Sequence, residues 1–224
     1  MVQTSRKPDT TIHRDVLTEI SWDTRVEEID VGVEVHDGIV TLTGTVSSLA
    51  NRIAAQEAAF RVAGVRAVAN DIEVRPPSST KRTDTEIAAA ARLALEEELL
   101  VPVGRIHTTV SHGVILLQGE VEYWAQREAA EEAVQRLGGV LKVTNELRVR
   151  PHEVTPHAVE QAIRAALARL AATEAHGITI ALEDGVVRLS GRVRSLAEKR
   201  AILAAVSHAP GVQSIREEIG IDFS

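Results

Sequence analysis

The sequence predicts an α+β protein of three tandem two-layer units, each with two helices on one face of a three-stranded mixed sheet. A nine-residue sequence motif that begins at Gly38 occurs again from Gly113 and from Gly185. Each copy alternates apolar and variable residues, which is the period of a half-buried strand. Each copy is also preceded by a helical stripe and a strand, and followed by an alanine-rich stripe and a strand. Three such repeats predict three copies of one helix-strand-strand-helix-strand fold.

Proline-containing segments separate the repeats within the 224 residues. A short linker of this composition acts as a semi-stiff spacer and not as a free tether. The predicted division is a tail at 1–8, unit one at 9–75, a linker at 76–82, unit two at 83–150, a linker at 151–155 and unit three at 156–224.

The elements of unit one can be justified in chain order. Asp9 is expected to cap the first helix, and Ile12 and Ile20 lie on its apolar stripe. Three alternating valines then predict a strand. Asp37-Gly38 follows between alternating apolar runs, which predicts a hairpin turn that leads into the strand of the repeated motif. In unit two the expected helix cap is Asp84.

The buried faces of the repeated strand and of the second helix follow from the same patterns. An alanine stripe predicts a second helix that lies close to the sheet. The inward strand residues are expected to be Val40, Leu42 and Val46, then Ile115, Leu117 and Val121, then Val187, Leu189 and Val193. The helix stripe is expected at Ala50, Ala54, Ala58 and Val62, then Ala125, Ala129, Ala133 and Leu137, then Ala197, Ala201, Ala205 and Ala209.

Nine glycines recur at three equivalent places. One lies in the hairpin turn, one lies within the repeated strand, and one ends the second helix. A glycine on the inward face of a strand indicates either a bulge or a helix backbone pressed against the strand, and we expect the helix. These structural glycines are Gly38, Gly113 and Gly185 in the turns, Gly44, Gly119 and Gly191 in the strands, and Gly64, Gly139 and Gly211 after the helices.

Together these features resemble the BON domain (bacterial OsmY and nodulation) over nearly the whole chain. The resemblance is carried by the turn glycine, the alternating strand with Gly-x-Val, the alanine-rich helix, a Gly-Val pair and a closing Val-x-Asn strand. It implies a non-enzymatic module associated with osmotic and envelope stress that contacts phospholipid surfaces or partner proteins. The Gly-Val pairs are Gly64-Val65, Gly139-Val140 and Gly211-Val212, and the closing strands hold Asn70 and Asn145, where unit three has Glu217.

Composition limits the location and the partners. No apolar run follows Arg6 and Lys7, so no signal peptide is predicted, and this departs from the export signal usual in the family. No stretch approaches the roughly 18 apolar residues of a membrane-spanning helix. We therefore expect a cytoplasmic protein, periplasmic only if the true start lies upstream. The net charge of −7 disfavours nucleic acid as a partner, and unit one contributes most of that charge.

Catalysis, cofactors and metals are not expected. The chain has no cysteine, and its eight histidines do not show the spacing of a zinc site. No phosphate-binding loop and no nucleophile elbow occurs. By period two, Asn70, Asn145 and Glu217 fall on the buried face of the last strand. Each either bonds a backbone group at the sheet margin or serves as a ligand.

Two groups of residues are candidates for binding. In unit three, three arginines and Ser190 alternate with the buried set, and two more basic residues follow on the next helix. This basic set either meets anionic lipid headgroups, acidic partners or the acidic unit one, or is a solvated surface. The basic set is Arg188, Arg192, Arg194, Lys199 and Arg200.

The pair Tyr123-Trp124 opens the second helix of unit two, where unit one has Ser48-Leu49. Aromatic residues are only 2% of the chain, so the pair is conspicuous. Trp124 either caps the core as Leu49 does or anchors a membrane interface or a partner. The sequence therefore predicts attachment to anionic phospholipid surfaces, and the alternative is a protein-interaction scaffold or chaperone-like stress protein.

Overall fold

The computed structural model describes residues 7–26, 31–78, 82–102, 104–150, 156–171, 178–183, 185–193 and 196–221. The predicted order of elements is confirmed in all three units. The helices are α1 (Asp9–Trp22), α2 (Leu49–Arg61), α3 (Asp84–Glu97), α4 (Trp124–Gln135), α5 (Pro156–Ala171) and α6 (Leu196–Ser207). The strands are β1 (Val31–His36), β2 (Ile39–Val46), β3 (Ala67–Asn70), β4 (Glu73–Val74), β5 (Ile106–Ser111), β6 (Val114–Val121), β7 (Lys142–Val149), β8 (Thr179–Glu183), β9 (Val186–Val193) and β10 (Ser214–Ile221).

The repeated motif forms the middle strand of each sheet. In each unit it pairs antiparallel with the strand before it and parallel with the strand after the second helix. The antiparallel pair needs only the tight turn, whereas the parallel pair needs a helical crossover, which the second helix supplies. In unit one the last strand is split into β3 and β4, and both pieces pair with β2.

Each unit has its own core between the sheet and its two helices. All nine predicted inward residues of the middle strands are buried, as are Ile12, Val16 and Ile20 of α1. The predicted alanine stripe is only partly correct in units two and three, where Ala125 and Ala209 are buried as predicted. In α4 the buried residues include Ala130 and Val134, and in α6 they include Ile202 and Val206, each one position after the predicted stripe. The larger apolar side chains face the core because they bury more apolar surface than alanine does.

Gly119 in the middle strand β6 does not lie against a helix. A Cβ on Gly119 would lie 2.1 Å from the backbone oxygen of Arg105, the residue before β5. The backbone φ of Gly119 is +135°, and Gly44 and Gly191 have φ values of +117° and +140°. The expectation of a helix beside this glycine is therefore wrong, because the close neighbour of Gly119 is the adjacent strand.

The acidic residue at the start of the first helix has a different role from the one predicted. Asp9 and Asp84 are the first helical residues, and the preceding Pro8 and Thr83 occupy the cap positions. The Asp9 carboxylate accepts the backbone N–H groups of Asp37 and Gly38, at 2.8 and 3.0 Å. The first helix is thus tied to the hairpin turn and not merely capped.

The three units contact one another through their second helices. Leu49 of α2 belongs to the core cluster of unit two, and Ile53 packs against the same cluster. Trp124 of α4 packs against the core cluster of unit three. Arg200 of α6 forms an ion pair of 2.8 Å with Glu57 of unit one. The described residues therefore form a closed triangle in which each second helix contacts the next unit.

Candidate functional site

The structure does not bring the basic set together on one surface. Arg188 and Arg192 are exposed on β9, on the face of the sheet that points away from the helices, here called the open face. Lys199 and Arg200 lie on α6, which packs on the opposite, buried face through Ile202. Arg194 lies outside the described residues. The sheet therefore separates the two strand arginines from the two helix residues.

Lys199 is bonded within its own unit. Its ammonium group lies 2.8 Å from the carboxylate of Glu217 on β10 and donates to the backbone oxygen of Ile219 at 3.3 Å. The Lys199 side chain is only 21% exposed. It ties α6 to the last strand of the sheet.

The same tie occurs in the other two units with different residues. In unit one the Asn70 side chain donates to the backbone oxygen of Arg52 at 3.1 Å, and Arg52 donates to the backbone oxygen of Asn70 at 2.9 Å. Asn145 and Arg127 make the equivalent pair of bonds in unit two. The backbone-bonding interpretation of these strand residues is therefore correct.

Trp124 and Tyr123 have different environments. The Trp124 ring is partly buried against unit three, and the Arg127 guanidinium carbon lies 4.8 Å from the ring centroid. Tyr123 is 36% exposed at the start of α4. Trp124 therefore occupies the seam between two units, and it neither caps its own core nor presents a free aromatic surface.

Glu128 lies beside Trp124 in the same seam. Its carboxyl group lies close to the Trp124 indole and to the hydroxyl of the buried Ser207 of unit three. Burial raises the pKa of Glu128, although Trp124, Ser207 and Arg127 oppose the rise, and the nearby Glu132 adds to it. Glu128 could not be selected from the sequence, because the hydroxyl beside it belongs to another unit.

The open face of unit three carries a third arginine that sequence reasoning missed. Arg216 of β10 stands beside Arg188 in the parallel register, and both are exposed. A small surface cavity of about 180 Å³ is lined by Ala181, Glu183, Val186, Arg188 and Arg216. Arg188 also forms an ion pair of 3.3 Å with Glu218. Without the strand order, the pairing of Arg216 with Arg188 could not be predicted.

Like charges side by side on a sheet are destabilising unless another group compensates them. Glu218 compensates Arg188, whereas no ion pair to Arg216 occurs among the residues that the structure describes. The equivalent pair on the open face of unit two is Leu116 and Thr144, which is uncharged. The arginine pair is thus a feature of unit three and not of the repeated fold.

Other kinds of site find no support in the described parts of the chain. No group of three or more histidine, aspartate or glutamate side chains there is arranged to hold a metal ion. No helix among the described residues is both long and apolar enough to cross a membrane. A larger cavity of about 550 Å³ adjoins the start of α3, but its Asp84 carboxylate is already bonded to the hairpin turn.

Comparison with known proteins gives matches over most of the chain. The BON domain family model matches residues 8–76, 83–151 and 157–222. Osmotically-inducible protein Y of Escherichia coli K12 is 30% identical over 129 residues, which are 56% of this chain and 64% of that protein. The chain thus matches less than two thirds of the length of this relative.

Among solved structures, CdsD, a structural protein of the type III secretion system of Chlamydia trachomatis, is 12% identical, with a TM-score of 0.26. That alignment covers 93% of this chain and 91% of CdsD. The three family matches repeat the three folded units found in the structure. The chain belongs to the BON domain family and contains three copies of the domain.

Proposed function

We propose that the protein is a non-enzymatic binding protein that attaches to anionic phospholipid surfaces through the open face of unit three. The observation that supports this most is the exposed pair of Arg188 and Arg216 beside one small cavity. Arginine suits this role because its planar guanidinium can donate two parallel hydrogen bonds to a phosphate. Arg192 lies on the same face of β9 as Arg188, four residues further along the strand, and is the third exposed arginine of this face.

The setting of this binding is proposed from the relative. Osmotically-inducible protein Y is named for its response to osmotic stress, and we propose the same setting for this chain. The cytoplasmic location remains a prediction, which fractionation of cells expressing the chain would test.

The test is flotation of the full chain with vesicles of phosphatidylcholine alone and with vesicles that also contain the anionic lipid phosphatidylglycerol. We expect binding to the anionic vesicles at low salt, and weaker binding as salt shortens the Debye length. The double variant Arg188→Gln/Arg216→Gln should lower the affinity by about tenfold or more, since each basic residue near an anionic surface contributes about 1 kcal/mol.

The matched control is Arg148→Gln/Arg150→Gln, which removes the same charge from exposed arginines in and beside the last strand of unit two. Binding that falls equally in both double variants would assign the attraction to net charge and not to the face of unit three. Absence of binding to anionic vesicles at low salt would reject the proposal.

A second candidate function is a protein-interaction or chaperone-like stress protein. It is favoured by two apolar side chains that extend into solvent near the ends of first helices: Trp22 is 80% exposed and Leu99 is 99% exposed. A partner-binding surface commonly contains such aromatic and aliphatic anchors. Suppression of the aggregation of a heat-denatured test protein, lost in Trp22→Ser/Leu99→Ser, would support this function over lipid attachment.

A further inference from the structure

Equivalent positions of the three second helices contact the next unit, but with different chemistry. Ile53 packs against the core of unit two, Glu128 lies close to Ser207 of unit three, and Arg200 pairs with Glu57 of unit one. The first contact is apolar, the second is a polar contact beside Trp124, and the third is ionic. The contacts between units therefore become more polar from the pair one and two, through the pair two and three, to the pair three and one.

Arg200 completes a charge cluster on unit one. Arg61 bonds Glu19 and Asp23, each at 2.7 Å, and Arg25 bonds Asp23 at 2.7 Å and Glu57 at 2.8 Å. Two arginines thus face three carboxylates. The side chain of Asp23 is only 7% exposed, and its pKa is held well below the usual range by Arg25 and Arg61.

Arg200 of unit three neutralises the remaining carboxylate charge of the cluster. One oxygen of Glu57 bonds Arg25, and the other bonds Arg200. Arg200 brings the number of guanidinium groups to three, so that it equals the number of carboxylates. Electrostatic complementarity of this kind fixes where a partner docks.

The contact between units three and one has no apolar support from the cores. Among the described residues, none of unit three belongs to the core cluster of unit one, and none of unit one belongs to the core cluster of unit three. Units two and three, in contrast, share an apolar contact, because Trp124 packs against the core cluster of unit three. The side chains of Arg200 and Glu57 are 48% and 27% exposed, so that dissolved ions reach the pair. An exposed ion pair shifts an equilibrium by about two- to fivefold and is screened by salt, whereas apolar burial is not.

We propose that Arg200 and Glu57 form a salt-sensitive closure of the three-unit triangle. At low ionic strength unit three docks on the charge cluster of unit one. As ionic strength rises the pair is screened, and unit three separates from unit one while its Trp124 contact with unit two remains. This inference does not rest on lipid binding, because Arg200 lies on the helix side of the sheet and not on the open face.

The test uses the full chain, which has no native cysteine. Spin labels on Thr18→Cys of unit one and His208→Cys of unit three, both exposed, report the distance between these units by pulsed electron resonance. We expect a short, narrow distance distribution at low KCl and a population at longer distance that grows about two- to fivefold at high KCl. Arg200→Gln should show this longer population at low salt already.

Two further variants make the result specific. Glu57→Gln removes the other half of the pair and should give the same distances as Arg200→Gln. Arg92→Gln loses the same charge from an ion pair of 2.6 Å within α3 and should behave as the parent does. Circular dichroism verifies that each variant is folded. Distances that respond neither to salt nor to Arg200→Gln would overturn the proposal, as would a doubled mass in light scattering at low salt.

Discussion

The carboxylate of Asp84, at the start of α3, accepts a hydrogen bond of 2.9 Å from the backbone N–H of Gly113 in the hairpin turn of unit two. Its second oxygen accepts the N–H of His112 at 2.8 Å. Both turn residues have positive φ, so the turn presents two adjacent N–H groups to one carboxylate. Unit three has Pro156 at the equivalent position, which cannot make this contact.

The first prediction concerns acid sensitivity. The hydrogen bonds from Gly113 and His112 lower the pKa of Asp84. A lowered pKa contributes stability that is present above the unfolded-state pKa and is lost as pH falls through the folded-state pKa, that is, below about pH 4. Asp84→Asn should therefore unfold at lower urea than the parent at pH 7, with a smaller difference at pH 3. The exposed Asp71→Asn serves as the control and should show no such pattern.

The second prediction concerns the glycine of the middle strand. Gly119→Ala should destabilise the protein by about 3 kcal/mol, because the φ of +135° is unfavourable for alanine and the new Cβ would collide with the backbone of Arg105. The control is Gly138→Ala, where the nearest atom to a new Cβ is 3.8 Å away. Equal melting temperatures for the two variants would contradict the contact with Arg105.

Much of the fold could be predicted from local patterns, but contacts across the sequence could not. The alternation of Val40 and Leu42 identified the buried face of the strand because period two is a local property. Asp84 was recognised only as a helix cap, since the turn that it holds lies 28 residues away. The residue type was informative, whereas its partner depended on how the hairpin packs beside the helix.

The candidate site was less predictable than the fold for the same reason. Arg188 and Arg192 could be placed on the open face by alternation alone. Arg216 was missed because its position beside Arg188 depends on the parallel pairing of β9 and β10. Lys199 and Arg200 were assigned to the same surface because they follow in the sequence, although the helix that carries them lies on the other side of the sheet.

The third prediction concerns the tie between the second helix and the last strand. Lys199 and Glu217 in unit three replace the Arg52 and Asn70 of unit one. A double-mutant cycle with Lys199→Ala and Glu217→Ala should give a coupling of about 0.5–1 kcal/mol in urea unfolding, the range for a partly exposed ion pair. The same cycle on Arg188 and Glu218, which are both more exposed, should give less. A coupling near zero for both pairs would refute the structural role of Lys199.

The fourth prediction concerns the seam between units two and three. Burial raises the pKa of Glu128, so the stability linked to it is complete below the unfolded-state pKa and is lost as pH rises through the folded-state value. Above that value the seam carries a buried carboxylate charge. Glu128→Gln should therefore gain stability over the parent at pH 8 and lose that advantage at pH 4. Glu97→Gln, at an exposed acid at the end of α3, is the control for removal of a carboxylate outside the seam.

The last prediction separates ring packing from hydrogen bonding at Trp124. Trp124→Ala should cost about 2 kcal/mol, less than the roughly 3–5 kcal/mol for a fully buried tryptophan, because the ring is only partly buried against unit three. Trp124→Phe keeps an aromatic ring but removes the indole N–H, which acts to lower the pKa of Glu128. Loss of that N–H should raise the pKa of Glu128 further, so the pH dependence of stability should extend to higher pH in Trp124→Phe. A pH profile identical to that of the parent would mean that the indole does not bond Glu128, whereas a stability loss in Trp124→Ala would still establish the apolar contact between the units.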